Sequence, residues 1–293
     1  MKGLVLAGGS GTRMFPLTKS VSKQLLNVYD KPAIFYPLSV LMLADVKDIA
    51  IIVNPHEITD FKKLLGTGSD YGVRFTYLVQ EEPRGIADAF NVAQDFIDGN
   101  ASMMILGDNF FYGYELPKRI RNAKAANQGA TVFAMQVKDP QRFGVLDIQD
   151  VGLPPRGIVE KPVHPPSKWA VTGIYIFDAQ VCDYVKEIKP SQRGELEITD
   201  LIAIYLKQQK LKVEYLGRGT AWLDIGTPDG MLSCASFVKT VEERQGFKIA
   251  CLEEIACRRG FTTEQDLIEQ VKNYPNSPYK DYILEVFGHK KLM

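Results

Sequence analysis

Histidine is scarce in this chain of 293 residues: His56, His164 and His289 are the full complement. Cysteine is nearly as rare, and Cys182, Cys234, Cys251 and Cys257 form no C-x-x-C pair and have no histidine close by in sequence. That leaves little from which to build a zinc cage or a disulfide framework, so reduced, packed thiols are the expectation. Neither sign of charge is in excess, with Lys plus Arg at 35 and Asp plus Glu at 35. No global field draws such a chain to nucleic acid or to an anionic membrane, and neither is an expected partner. Any positive charge that meets an anionic substrate must therefore be local. Apolar runs fall well short of the ~20 residues that cross a bilayer. The apolar start Leu4-Val5-Leu6-Ala7 is too short for a secretory signal and ends in Gly8, Gly9 and Gly11 without a cleavage pattern. A cytoplasmic protein is expected.

What is present is an ordinary folded-enzyme composition, 45% hydrophobic and 24% charged. Strand-like runs alternate with helix-like ones. Gly3–Ala7, Ile49–Val53, Val73–Val79 and Met103–Leu106 read as strands; Pro32–Ala44, Glu57–Leu65 and Ile86–Ile97 read as helices between them. This alternation predicts an α/β fold with a Rossmann-like, mixed but mostly parallel sheet flanked by helices. The second half is less regular. Strands are expected at Thr131–Val137, Gly144–Ile148, Ala170–Phe177, Val213–Leu216 and Ala221–Leu223, and helices at Gln180–Ile188 and Glu197–Gln208. The Pro- and Gly-rich stretch between Ile148 and Ala170 is expected to be loop. Beyond about Phe237 the pattern turns helical, giving a division into a main domain, 1–236, and a helical extension, 237–293.

The strongest local signal is Leu4-Val5-Leu6-Ala7-Gly8-Gly9-Ser10-Gly11-Thr12-Arg13. A buried strand feeds a loop whose glycines let backbone N–H groups approach a phosphate, with Arg13 supplying a planar fork of donors. The commoner nucleotide motifs fail: G-x-G-x-x-G needs a glycine where Met14 stands, and the Gly-Lys-Ser/Thr of a P-loop is absent. Asp108 ends the run Met103–Gly107, and Asp224 follows Ala221-Trp222-Leu223. Carboxylates at the ends of two strands suit magnesium, which takes one or two protein carboxylates and fills its shell from phosphate and water.

With Pro16-Leu17-Thr18, Ser22-Lys23-Gln24-Leu25-Leu26 and Asp30-Lys31-Pro32 following the glycine loop, the chain resembles the glucose-1-phosphate thymidylyltransferases. The likeness continues through Gly107-Asp108-Asn109, Arg142-Phe143-Gly144-Val145, Glu160-Lys161-Pro162, Trp169–Gly173, Arg193–Thr199, Ala221–Asp224 and Gln245–Ala256. It implies a nucleotide-diphospho-sugar transferase fold and transfer of a nucleotidyl group from dTTP to glucose 1-phosphate, assisted by Mg2+. The obstacle is bringing two polyanions together. Unit charges 4 Å apart repel by about 4 kcal/mol at an effective dielectric of 20, so alignment and charge neutralisation should dominate. No general base is required, because the sugar phosphate is already mostly anionic at neutral pH.

By the same resemblance Arg13, Lys23, Lys161 and Arg193 are the catalytic cations. Leu6, Gly8, Gly9, Gly11, Thr12, Arg13, Gln24, Gln80, Pro83, Gly85 and Asp108 bind the nucleotide, and Asn109, Gly144, Glu160, Val171 and Tyr175 join Lys161 and Arg193 around the sugar phosphate. Asp108 and Asp224 hold the metal. The resemblance further implies a homotetramer and inhibition by a dTDP-sugar at a second site, to which Arg258 or Arg259 are candidates. Two alternatives stay open. Arg84, where many relatives carry an aspartate, and the form Asp224-Ile225-Gly226-Thr227-Pro228 admit a UTP-dependent uridylyltransferase. A non-catalytic relative of the same fold is the other, set against the presence of Arg13, Lys23, Asp108, Lys161 and Asp224.

Overall fold

In chain order, β1 (Lys2–Leu6) precedes a short hairpin of β2 (Asn27–Val28) and β3 (Lys31–Pro32). Then come α1 (Phe35–Leu43), β4 (Asp48–Val53), α2 (Ile58–Leu65), β5 (Arg74–Val79), α3 (Asp88–Val92), α4 (Gln94–Ile97) and β6 (Ser102–Leu106). The middle of the chain forms β7 (Asn109–Tyr112), α5 (Leu116–Ala126), β8 (Ala130–Gln136), β9 (Gly144–Asp147), β10 (Gly157–Glu160) and β11 (Trp169–Phe177). It continues with α6 (Val181–Tyr184), α7 (Ile198–Lys207), β12 (Leu211–Leu216) and β13 (Ala221–Asp224). Four helices follow: α8 (Pro228–Gln245), α9 (Leu252–Arg258), α10 (Glu264–Lys272) and α11 (Pro278–Gly288). The computed structural model describes residues 1–9 and 11–288; Ser10 of the glycine loop and His289 lie outside the described residues.

β5, β4, β1 and β6 run parallel in that spatial order, with Leu6 opposite both Ile52 and Leu106. Strand β11 then runs antiparallel to β6 and to β8, and β12 adds to β8 in parallel, making the sheet mixed. β4 is apolar after its first residue, Asp-Ile-Ala-Ile-Ile-Val, and all five of those residues are buried. Such a continuous run is what a strand covered on both faces requires. One face packs on α1, α2 and α5 through Leu38, Leu41, Phe61 and Ile120. The other packs on α3, α4, α6 and α7 through Phe90, Ile97, Val181 and Leu201. Full burial of each such side chain contributes roughly 1.5–3 kcal/mol.

The alternation expected of the first half is present, with helices on both faces. The expected helix over Ile86–Ile97 is two short ones that meet at Ala93 (φ −96°, ψ 9°). The stretch expected to be all loop contains β10, which pairs antiparallel with β9. Helix α8 runs unbroken across residues 236 and 237, and Cys234 and Val238 on either side of that point share one apolar cluster. Thr227 caps α8 by accepting from the Gly230 amide at 3.1 Å, and Gly246 ends it in the left-handed region (φ 71°). Leu252, Ile255 and Phe261 pack onto the chain's own core under α1, while Leu284 and Phe287 pack among α9 to α11. No disulfide joins the four cysteines.

Two charge networks tie these parts together, one buried and one near the surface. Lys31 on β3 is 2% exposed and pairs with Asp30 and, at 3.0 Å, with Glu242 of α8, which also accepts from the Ile249 amide at 2.8 Å. A buried ammonium is tolerable only when opposed in this way. At the amino ends of the parallel strands, Asp48 of β4 accepts from Lys2 of β1 at 2.6 Å and from Arg74 of β5 at 2.6 and 2.8 Å. Those Arg74 hydrogen bonds, with Lys2, outweigh partial burial and pull the Asp48 carboxyl from 3.8 down to about 2. A carboxyl depressed on folding contributes stability above its unfolded value and loses it as pH falls through its folded value. Asp48→Asn should therefore lower the unfolding temperature near neutral pH, with the deficit closing between about pH 4 and pH 2. Thermal unfolding of both proteins across that range checks this, and a pH-independent deficit would refute it.

Candidate active site

Each parallel strand ends in a loop that faces the same crevice: Gly8, Gly9 and Gly11–Arg13 after β1, Asn54–Glu57 after β4, Gln80–Gly85 after β5, and Gly107-Asp108 after β6. This is where open α/β sheets place their ligands. The close approach of these loops explains two of the glycines. A Cβ on Gly8 would sit 3.1 Å from Gln80 Oε1 and 3.4 Å from Asn54 Oδ1. Gly85 (φ 107°) lets the chain pass the segment at Leu196, whose carbonyl would lie 2.4 Å from an added Cβ. The Leu196 amide donates to the Arg84 carbonyl at 2.7 Å, pinning that loop.

The crevice divides into two cavities. One of about 250 Å3 is lined by Leu6, Gly8, Gly9, Lys23, Gln24, Gln80, Pro83, Gly85 and Asp108, together with Ile86, Leu106 and Glu195. The other, about 440 Å3, is lined by Arg13, Asn109, Gly144, Glu160, Lys161, Val171, Tyr175 and Asp224, and shares Ile86, Leu106 and Asp108 with the first. Asp108 thus stands on the wall between them. Gly11 opens instead onto a neighbouring recess with Gly9 and Lys23. Thr12 is exposed at the turn and lines neither cavity. Arg193 does not line the second cavity; it donates to Glu197 at 2.8 Å and reaches Glu160, which does, at 3.4 Å.

Asp108 and Asp224 are brought together by a two-stranded ribbon: β7 pairs antiparallel with β13 so that Asn109 faces Asp224. The two carboxylates converge over Gly226. A Cβ there would lie 2.8 Å from Asp224 Oδ1 and 3.4 Å from Asp108 Oδ2, with Arg13 Nη2 also at 2.8 Å. Asp108 is ion-paired to Lys23. Burial would raise its carboxyl, but Lys23, the Asn109 hydrogen bond and Arg13 together hold it below the usual carboxylate range. Asp224 is met by Arg142 at 3.0 Å and Arg13 at 3.7 Å. Glu160 goes the other way: burial, helped by Glu197, lifts it above the usual range despite Lys161 and Arg193. It gives up its acceptor character at a higher pH than an ordinary glutamate would. Lys161 sits in the left-handed region (φ 41°), a strained position for a lysine, held by its amide's 3.0 Å bond to the Phe143 carbonyl.

Several residues of the site were not singled out from the sequence. Trp222 Nε1 donates to Asn109 Oδ1 at 2.6 Å, and Asn109 Nδ2 donates to Asp108 Oδ1 at 3.0 Å, so the Asn109 amide braces the aspartate. Arg142 was visible only as part of Arg-Phe-Gly-Val; the structure sets it against Asp224 and Asp139 and lines the second cavity with it. Thr172 also lines that cavity, and its buried hydroxyl has no hydrogen-bond partner among the described residues. In the sequence Thr172 stands out only as part of Trp169–Gly173, because its place in the cavity depends on the register of β11.

A crevice of this shape, with a glycine loop, cations from several elements and two converging carboxylates, defines a nucleotide-binding transferase site on an α/β sheet. The nucleotidyl transferase family signature matches residues 2–241. A glucose-1-phosphate thymidylyltransferase of Neisseria gonorrhoeae is 50% identical over 98% of this chain and 100% of its own. The Mycobacterium tuberculosis enzyme of the same name is 43% identical over 98% of this chain and 99% of its own. A crystal structure from Bacillus anthracis, described as a glucose-1-phosphate thymidylyltransferase, superposes with a TM-score of 0.74 at 40% identity, over 81% of this chain and 94% of that one. A UDP-glucose pyrophosphorylase at 24% identity (TM-score 0.71, covering 82% of this chain and 98% of that one) shares the fold. The chain belongs to the nucleotidyl transferase family, within its glucose-1-phosphate thymidylyltransferase branch, and is an enzyme of that class.

The convergence over Gly226 can be tested directly. Gly226→Ala puts a methyl group where the mobile ends of two side chains, Asp224 Oδ1 and Arg13 Nη2, now approach. Turnover should fall by about 100-fold, the effect of a misplacement of about 1 Å, while the unfolding temperature barely moves. Steady-state kinetics beside thermal unfolding would show it.

Proposed function

We propose that the chain transfers the thymidylyl group of dTTP to α-D-glucose 1-phosphate, giving dTDP-glucose and pyrophosphate. The observation that carries this reading is the position of Asp108 on the shared wall of the two cavities, with Lys23 on the nucleotide side and Arg13 and Lys161 on the other. A triphosphate held at the glycine loop presents its α-phosphorus to a sugar phosphate held by Lys161. An oxygen of the sugar phosphate forms the new bond to that phosphorus, while the bond to the β-phosphate breaks and pyrophosphate leaves with the electron pair. Lys23 and Arg13 oppose the charge of the triphosphate, and Glu160 accepts from sugar hydroxyls. Arg193, paired with Glu160 and Glu197, holds both in place.

The donor set fits Mg2+: two carboxylates converge on one point, and no cluster of three or more His, Cys, Asp or Glu side chains is present among the described residues. A hard cation of this kind completes its shell from phosphate and water, so Asp108 and Asp224 suffice to hold it. When bound it would supply neutralisation of phosphate charge. The uridylyltransferase alternative is not favoured, since the near full-length relatives at 43–50% identity are thymidylyltransferases.

Pyrophosphate release should require the triphosphate, glucose 1-phosphate and Mg2+ together, and chelation should abolish it. Asp108→Asn should lower kcat by about 100- to 1,000-fold, the range for losing one preorganised charge-stabilising group. Undiminished turnover would remove Asp108 from the mechanism. Comparing kcat/KM for dTTP and UTP over several sugar 1-phosphates tests the choice of substrates.

A cytoplasmic homotetramer inhibited by a dTDP-sugar is part of the same proposal. Exposed Leu232 and Phe15 support assembly, and a separate apolar cavity of about 260 Å3 supports the second site. Leu43, Phe111, Leu116 and Ile255 line it, with Arg258 and Arg259 at its edge. Arg258 pairs with Glu254 and Arg259 with Asp45, each leaving further guanidinium donors for phosphate. Arg259→Ala should raise the inhibition constant for dTDP-sugar roughly 5- to 150-fold with little change in kcat. Inhibition that stays purely competitive in the unaltered enzyme would refute the second site.

A further inference from the structure

An amide side chain offers a donor or an acceptor according to how it is turned, and its hydrogen-bond network decides which. Gln80, on the nucleotide cavity, is fixed from behind. Its Nε2 donates to Asp88 Oδ2 at 3.0 Å, and both side chains are buried, with Asp88 1% exposed. A carboxylate can only accept, so the Gln80 NH2 must face it. The other oxygen, Asp88 Oδ1, accepts from Asn91 Nδ2 at 3.2 Å, and Arg84 Nε lies 3.5 Å from Oδ2. Gln80 Oε1 is left to face the loop, 3.1 Å from where a Cβ on Gly8 would stand. Gln24 is not locked in this way, because its oxygen meets the Ser22 hydroxyl at 2.7 Å, a group able to donate or accept.

We propose that Asp88 is the positioning residue that sets base specificity. By fixing the turn of Gln80 it offers the base an acceptor, which reads the N3–H of a 2,4-dioxopyrimidine and rejects cytosine, whose N3 is itself an acceptor. Two acceptors brought together in a dry site leave both unpaired, and such mismatches discriminate strongly. The inference rests on the nucleotide cavity assigned above and adds a residue that does not touch the substrate. It also gives Arg84 a role, as an outer counter-charge to Asp88.

The test compares kcat/KM for dTTP and dCTP, at fixed glucose 1-phosphate, in the unaltered enzyme and in Asp88→Asn. In the variant Asn91 keeps its bond to the remaining oxygen, so the new NH2 points at Gln80 and turns it over. The dTTP to dCTP ratio should fall at least about tenfold, with the KM for glucose 1-phosphate unchanged and the fold intact by thermal unfolding. Should that variant not fold, Asp88→Ser, whose hydroxyl can donate or accept and so leaves the turn of Gln80 unfixed, should also lower the ratio, though by less. Asp88→Glu, which keeps an acceptor-only group, should retain the preference for dTTP. A ratio unchanged in Asp88→Asn, or lost equally in Asp88→Glu, overturns the role of Asp88 alone. In the unaltered enzyme, N3-methyl-dTTP should be used at least about 100-fold less well than dTTP, and equal use would overturn the reading of N3–H. An unaltered enzyme inactive with every triphosphate would instead sink the transferase reading.

Discussion

The carboxylate of Asp108 is the constraint on which the site turns. It is an anion that belongs where two polyanions must meet, which is tolerable only because cations and donors surround it. Lys23 pairs with it from the nucleotide side, Arg13 adds positive potential, and Trp222 acts through Asn109 to fix its direction. The support is graded: the tryptophan holds the amide, the amide holds the acid, and the acid holds the lysine. A preorganised charge of this kind costs no rearrangement at the moment of reaction. The same logic recurs at Asp224, with Arg142 and Arg13 as its partners.

Much of this was legible in the sequence, for reasons that differ by element. The parallel strands are short, largely apolar runs, most continuous in β4, and the glycine loop follows directly from β1. Residues at the ends of those strands are fixed by local chain order, so motif reading located Gly8 and Asp108, and resemblance added Gln80. Resemblance carried Glu160, Lys161, Val171 and Tyr175 into the second cavity. It also named Thr12 and Arg193, which line neither cavity, and for Arg193 the reason is visible: Glu195 and Glu197, close in sequence, and Glu160, across the fold, bind the guanidinium first.

What was not legible depends on pairing between distant segments. The ribbon that sets Asp224 beside Asn109 joins residues more than a hundred positions apart, and β10 hides among prolines and glycines that argue for loop. The contact of Asp88 with Gln80 spans only eight residues, yet it was missed because an aspartate in a helical stretch reads as solvated surface. Burial decides its meaning, and burial is set by the whole fold.

The clamp of Lys2, Asp48 and Arg74 lies at the opposite ends of the strands from the crevice. Strand alignment is secured at one pole of the sheet and recognition is carried out at the other, a strand's length away. Loops at the second pole can therefore exchange side chains without disturbing the anchorage at the first. An architecture with that separation is free to diversify its choice of base and sugar while inheriting the same scaffold.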